Sequence, residues 1–441
     1  MSIKTFHIIT IGCQMNKADS ERLSSYLRSH GLVLETDPFR SDLVAINTCG
    51  VRQSAEDRAY GLVNRIRRNN PKAKIAIMGC ISHRPEVRAR LKGRADIFLA
   101  NRDMEALIDI IESGGETLSV EQVREMNGEK YLAIAPDYEN NFSAFVPIGN
   151  GCDNFCSYCV VPYARGRESY RPAADIIKEA KRLAEKGYRE ITLIAQNVNS
   201  YRSGDYDFAR LLREVASLPG DFWVRFSSSH PKDLSDYLIE VIGSCPKVCP
   251  HLHLAVQSGD DKILARMNRK YTAAHYVDLI SKVRQARPGI AITTDVIVGF
   301  PGETEEQFQH TVDLFEQIGF DMAYTAQYSP RPHTAAWEME DDVPREEKGR
   351  REAILNAVLS QSGLEKNRNQ VGQIERVLVE GKDRYGRYYG KTAHYKSVRI
   401  SGPDDRGISV GEFIEIEIIA AADFGLEGWI VEDKKRSQCI A

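Results

Sequence analysis

The sequence predicts an α/β chain in three parts: an N-terminal open parallel α/β sheet domain, a central partial barrel of six β/α units, and a small all-β barrel at the C-terminus. Three observations carry this. Short apolar runs alternate with amphipathic stretches from the start, the pattern of parallel strands covered by helices on both faces. The alternation lapses into mixed charge and then restarts for six further units. After Val371 it gives way to closely spaced β-like runs punctuated by glycines. The resulting domain boundaries are residues 1–118, 138–370 and 371–434.

In the first part, strands are expected at Thr5–Ile11, Leu43–Thr48, Lys74–Met78 and Asp96–Leu99. Helices are expected over Ala18–Ser29 and Arg52–Asn69, the latter stopping before Pro71. Residues 114–143 read as a linker beginning at Gly114-Gly115. Barrel strands follow at Ala144–Ile148, Ile191–Ala195, Phe222–Phe226, Leu252–Val256, Ile290–Val298 and Met322–Tyr328. Helical stretches between them include Pro172–Lys186, Asp233–Ile242, Ala273–Gln285 and Glu303–Ile318. Such a barrel carries its site at the C-terminal ends of its strands. A charged helix over Pro344–Asn369 leads to five short strands: Ile374–Glu380, Tyr388–Ala393, Ser397–Ile400, Phe413–Ala420 and Gly428–Glu432. The stretch Lys434–Ala441 reads as a frayed tail.

Composition narrows the function. At 441 residues, with 42% hydrophobic and 27% charged residues, the chain can bury real cores and resembles neither a disordered nor a collagenous protein. The longest apolar runs, such as Phe6–Ile11 and Val296–Phe300, are too short to span a bilayer. The first residues run into Gln14, Asn16 and Lys17 and do not read as a signal peptide, so a cytoplasmic location is expected. Nine cysteines in a reducing compartment point to metal or redox chemistry rather than disulfides. A formal net charge of −3 requires any RNA contact to come from a local basic patch.

The strongest motif is Gly151-Cys152-Asp153-Asn154-Phe155-Cys156-Ser157-Tyr158-Cys159. Three thiolates this close can hold three irons of a 4Fe–4S cube and leave the fourth open. Zinc and three buried free thiols are the alternatives, but zinc asks for a fourth ligand, and no cysteine or histidine stands in register. The triplet, with Tyr158 before its last cysteine, resembles the signature of the radical S-adenosylmethionine superfamily. That resemblance implies an open iron that chelates S-adenosylmethionine, which one electron cleaves to a 5′-deoxyadenosyl radical.

Three more cysteines, in Gly12-Cys13, Thr48-Cys49 and Gly79-Cys80, each follow an expected strand. Strands of an open parallel sheet deliver such residues to one crevice, and neighbouring strands lie about 5 Å apart. Strand-end cysteines are also common as plain buried hydrophobes; their repeated placement favours a second cluster. Gly12-Cys13-Gln14-Met15-Asn16, Asn47-Thr48-Cys49 and Gly79-Cys80 ahead of the triplet resemble the methylthiotransferase family, over about residues 3–433. The resemblance implies an N-terminal auxiliary-cluster domain, a radical barrel and a TRAM domain. Its cofactors would be two 4Fe–4S clusters and S-adenosylmethionine, with transferable sulfur on the auxiliary cluster.

Family members act on isopentenyl-adenosine in tRNA, on threonylcarbamoyl-adenosine in tRNA, or on an aspartate of a ribosomal protein. The blocks Gln196-Asn197-Val198-Asn199-Ser200-Tyr201, Ser229-His230-Pro231-Lys232-Asp233 and Met267-Asn268-Arg269-Lys270-Tyr271-Thr272 resemble the first group. That group adds a methylthio group to C2 of the anticodon-loop adenosine at position 37, and an electron donor such as flavodoxin or ferredoxin is implied. Three positions depart from the family pattern: His333 stands where glycine is usual, Tyr170 where serine is, and Ala255 where proline is.

The cluster ligands expected from all this are Cys13, Cys49, Cys80, Cys152, Cys156 and Cys159. Expected cosubstrate contacts are Tyr158, Gln196, Asn197, Gln257, Ser258 and Arg165. Arg165, Arg167 and Arg171 can pair with a carboxylate or an RNA phosphate, or can be solvated loop residues. Gly299-Phe300-Pro301-Gly302-Glu303-Thr304 can shape the cosubstrate pocket or be a loop and cap. Cys245 and Cys249 read as loop or core thiols and Cys439 as incidental. Arg384, Tyr385, Arg387, Tyr388, Tyr389, Lys391, His394, Tyr395, Lys396 and Arg399 form a basic-aromatic strip suited to RNA, although residues 403–433 are strongly acidic.

Overall fold

The computed structural model describes residues 3–51, 53–112, 130–401 and 407–431. The Gly114-Gly115 part of the expected linker, the tail and Cys439 lie outside them. The first domain holds β1 (Thr5–Ile11), α1 (Gln14–Ser29), β2 (Val33–Leu34), β3 (Leu43–Thr48), α2 (Gln53–Asn69), β4 (Lys74–Gly79), α3 (Pro85–Leu91), β5 (Ile97–Leu99) and α4 (Ala106–Glu112). Its sheet is parallel throughout, in the order β2-β1-β3-β4-β5. Every residue of β3 is buried, as a central strand covered on both faces must be. Leu23, Leu27 and Leu107 of α1 and α4 pack on one face, and Val63, Ile66 and Leu91 of α2 and α3 on the other.

Helix α1 starts at Gln14 rather than Ala18. Its first turn, Gln14-Met15-Asn16-Lys17, is mostly polar and gives no apolar periodicity, although Met15, Asn16 and Ala18 are all buried.

Six parallel strands follow: β6 (Ser143–Pro147), β7 (Glu190–Ile194), β8 (Trp223–Phe226), β9 (His251–His253), β10 (Ala291–Val298) and β11 (Met322–Gln327). They form two three-stranded sheets, joined through the bridges Val224↔Val248 and Ser229↔Leu254. Among the described residues β6 and β11 do not pair, so the barrel is open on one side. Every second residue along the strands, including Ile191, Leu193, Val224, Ile292 and Val296, enters the core beneath the outer helices, with buried Thr294 between the last two. Helix α5 (Val161–Arg165) follows the cysteine triplet.

Two expected elements are shorter. The fourth barrel strand stops at His253, because Leu254 and Val256 are held by Thr293 and Thr294, and Gln257 has φ +71°. The helix after Gly302 begins at Glu305, because Thr304 caps it reciprocally with Gln307. Glu303 lies outside that helix and is buried, accepting from Gly299 N–H and from Arg351 of the long helix Arg345–Arg368.

The C-terminal strands Ile374–Lys382, Tyr388–Thr392, Ser397–Ser401, Phe413–Ala422 and Gly425–Ile430 close into a barrel around Val377, Val398, Ile416 and Ile418. It is docked on the barrel's underside. Buried Arg225 pairs with Glu190 at 2.6 Å and donates to the carbonyls of Thr392 and Ala393 at 2.8 Å each. Tyr395 stacks on His251 at 4.8 Å, and Lys396 pairs with Asp321 at 2.7 Å. The basic-aromatic strip therefore divides: Tyr395 and Lys396 serve the docking, Lys391 pairs with Glu380 inside the small barrel, and Tyr385 stays exposed beside Arg384 and Arg387, with Tyr389 exposed on the next strand. No helix among the described residues is long and apolar enough to cross a membrane.

Candidate active site

The ends of β1, β3 and β4 are in register: Ile11 pairs with Thr48, and Thr48 with Gly79. Cys13, Cys49 and Cys80 leave from this common edge. The amide of Cys49 donates to Ile11 O at 2.8 Å and that of Cys80 to Thr48 O at 2.9 Å, which continues the ladder to the cysteines themselves. A Cβ built on Gly12 would lie 3.0 Å from the Cys49 Cβ, and one on Gly50 would lie 3.1 Å from the Cys80 Cβ. The three thiols thus share one crevice, with Cys13 on its exposed lip and the other two buried. Behind them Asn16, Asn47 and Asn101 form a buried amide chain.

The second set sits on the loop after β6. Gly151, at φ +82°, runs so close to Arg167 O that an added Cβ would approach it to 2.1 Å; only glycine fits. Its amide donates to Gln196 Oε1 at 2.6 Å. Asn268 Nδ2 donates to Phe155 O at 2.9 Å, and Ser157 N–H to Met267 O at 3.0 Å. Arg269 reaches the Cys156 sulfur at 3.5 Å, the Ala255 carbonyl at 2.6 Å and Tyr271 Oη at 2.8 Å. The segment Met267–Tyr271 thus braces the cysteine loop. In the sequence this block shows only as a resemblance, because contacts across more than a hundred residues leave no local signal.

Burial pushes the Cys159 thiol up to about 12 and the Cys152 thiol up to about 11. Such thiols ionise only beside a cation, which bound iron supplies. Among the described residues, no three thiol, imidazole or carboxylate groups gather around one point for a single ion. A zinc ion therefore has no ready ligand set, whereas a cube asks each thiolate to bind its own iron. Each set offers three thiols, so the residues fit a 4Fe–4S cluster with one iron free.

The other expected contacts fall into distinct places. Tyr158 packs its ring against Met267, Phe300 and Tyr328 beneath the loop. Gln196 holds Gly151, and Asn197 donates to Asp233 at 2.8 Å while its buried Oδ1 has no hydrogen-bond partner among the described residues. Gln257 bridges to Val296 through its backbone, and fully buried Ser258 receives the Asp260 amide. Arg171 is committed to Glu179 at 2.6 Å and Arg165 to Asp19 at 2.9 Å, both buried; Arg167 alone of the three is exposed, beside Asp153. Cys249 is buried against Trp223 and Leu378 and half-buried Cys245 packs on the barrel core, so neither stands with a ligand set. Of the departures, Tyr170 hydrogen-bonds Ser200 at 2.8 Å, Ala255 contributes its carbonyl, and His333 holds φ +70°, a conformation natural to the usual glycine.

Three family models match the chain in turn: the uncharacterized protein family UPF0004 at residues 5–100, the Radical SAM superfamily at 146–315, and the TRAM domain at 368–431. Solved structures share the fold. A radical S-adenosylmethionine methyltransferase, TsrM, from Kitasatospora setae matches with TM-score 0.56 and 16% identity over 76% of this chain and 77% of that one. The cobalamin-dependent S-adenosylmethionine radical enzyme OxsB matches with TM-score 0.53 and 12% identity over 80% and 56%. An open parallel barrel carrying a three-cysteine loop at its strand ends defines a radical S-adenosylmethionine protein.

Curated relatives narrow the class. The tRNA-2-methylthio-N(6)-dimethylallyladenosine synthase of Carboxydothermus hydrogenoformans is 41% identical over 98% of this chain and 100% of its own. That of Syntrophomonas wolfei is 41% identical over 97% and 98%. The chain belongs to this methylthiotransferase family.

Proposed function

We propose that the protein is a tRNA methylthiotransferase that adds a methylthio group to C2 of N6-isopentenyladenosine in the anticodon loop. The observation that carries this is the pair of thiol trios, one on the sheet edge of the first domain and one on the barrel loop, each a ligand short of a full cube. One trio serves radical generation; a second suits delivery of sulfur. The relatives that match nearly end to end are named for this product.

When bound, S-adenosylmethionine and the clusters supply a 5′-deoxyadenosyl radical and a transferable sulfur, which the unactivated C2–H requires because no side-chain base can deprotonate it. The chain's own groups position and shield. Arg269, Asn268 and Gln196 fix the cysteine loop, and Phe300, Met267 and Tyr158 exclude water beneath it. The exposed turn with Arg384, Tyr385 and Arg387, and Tyr389 on the strand after it, offer cations and rings to RNA. A cytoplasmic location and a small electron-transfer protein, such as flavodoxin or ferredoxin, belong to this reading.

The test is mass spectrometry of tRNA nucleosides from a strain lacking the gene. Loss of the methylthiolated adenosine with accumulation of isopentenyl-adenosine is expected. An unchanged tRNA profile, with methylthio missing from a ribosomal protein instead, would move the substrate to the protein-modifying group.

A further inference from the structure

The Asp19–Arg165 ion pair ties the two thiol sets together. Cys13 is the N-cap of α1, and Asp19 lies six residues along that helix. Cys159 lies just ahead of α5, and Arg165 ends that helix, again six residues on. Each of these cysteines therefore lies six residues from its charged partner, a span of about 9 Å where the chain is helical. Arg165 Nη2 meets Asp19 Oδ2 at 2.9 Å, with side-chain exposures of 7% and 1%.

The pair is embedded, not isolated. Arg165 also donates to Asn150 Oδ1 at 3.1 Å, and Asp19 Oδ2 accepts from Asn101 at 2.6 Å. Asn101 donates to Asn47, Asn16 donates to Asn47, and Cys13 Sγ donates to Asn16 Oδ1 at 3.3 Å. A continuous polar chain thus runs from Cys13 to Arg165. Burial works against the arginine's charge, while Asp19, Cys80, Tyr131 and Cys13 favour it and hold its pKa well above the ordinary value. Close to the pair α1 meets the barrel through Met15 and Ala18 against Ile194 and Phe145, and one turn further on buried Arg22 lies 3.6 Å from Glu179 without a hydrogen bond to it. Apolar packing of that kind can slide, whereas a directional buried ion pair fixes register.

We infer that Asp19 and Arg165 are positioning residues that set the spacing between the two cluster sites, so that the radical forms within reach of the sulfur. The inference rests on the function proposed above.

The experiment uses the full chain with Arg165→Met, Arg165→Lys and Asp19→Asn. In the apoprotein, hydrogen exchange should quicken in Gln14–Ser29 and Val161–Arg165 for the Met and Asn variants and return towards wild type for Arg165→Lys. In reconstituted enzyme given an isopentenyl-adenosine anticodon stem-loop, both disruptive variants should keep about eight irons per chain. Their ratio of 5′-deoxyadenosine to methylthiolated product should rise about tenfold or more, with Arg165→Lys largely restoring coupling. Wild-type exchange and an unchanged ratio in Arg165→Met would overturn the inference. So would loss of irons that Arg165→Lys fails to rescue, which would mark a merely structural residue. If the wild type cleaves S-adenosylmethionine but never modifies the stem-loop, the functional reading fails, and the exchange data still decide whether the pair ties the domains.

Discussion

Arg269 directs its guanidinium at the sulfur of Cys156 from 3.5 Å, and that guanidinium is almost wholly buried. It braces the loop, and with iron held by Cys156 it would face the negative charge of the thiolate. Replacing it with methionine removes charge-assisted hydrogen bonds worth about 2 kcal/mol. Arg269→Met should shorten the half-time of iron loss to a chelator about tenfold or more. Iron loss at the wild-type rate would remove Arg269 from the account.

Gly79 precedes Cys80 at φ +87°, with an added Cβ 2.3 Å from Thr48 O. Backbone cannot yield there without breaking the β3–β4 register. Gly79→Ala should cost about 3 kcal/mol or more. Chemical denaturation followed by circular dichroism checks this, and a midpoint within error of wild type would contradict it.

Burial pushes the Glu21 carboxyl up to about 7 from 4.5, against the pull of the Glu139 amide and of Lys17 and Arg22. The folded state holds this proton more tightly than the unfolded chain does. The stability contributed by the protonated group is therefore complete below pH 4.5 and is lost as the pH climbs through 7. Glu21→Gln should gain about 1 kcal/mol over wild type on going from pH 6 to pH 8. Parallel stability curves for the two proteins would refute the assignment.

Arg225 joins the barrel to the C-terminal domain, and its loss leaves Glu190 buried without its cation. Arg225→Ala should destabilise the protein by about 4 kcal/mol. It should also speed hydrogen exchange in Tyr388–Thr392 more than in β3. Equal acceleration everywhere would mean that the contact does not hold the docking.

Much of this was legible in the sequence because local pattern decides it. The strand Leu43–Thr48 lies where its apolar run places it, since a doubly covered strand admits little else, and the partly exposed Thr5–Ile11 also follows its apolar run. The cysteines could be located because each stands at a strand end or in a tight triplet. What escaped was decided across the fold. Arg165 reads in the sequence as a partner for a cosubstrate carboxylate or an RNA phosphate, whereas α1 brings Asp19 to it, and Lys396 reads as part of an RNA strip, whereas it pairs with Asp321. The start of α1 was hidden because its first turn is mostly polar, with Asn16 buried through hydrogen bonds to Asn47 and Met15 buried against the barrel.

The proposed reaction requires two separate clusters, one on Cys13, Cys49 and Cys80 and one on Cys152, Cys156 and Cys159. Iron analysis and S-adenosylmethionine cleavage by the anaerobically reconstituted Cys13→Ala/Cys49→Ala/Cys80→Ala variant test it most directly. The expected result is a fall from about eight irons per chain to about four, with 5′-deoxyadenosine still formed and no methylthiolated adenosine. Iron content and product yield equal to wild type would contradict it.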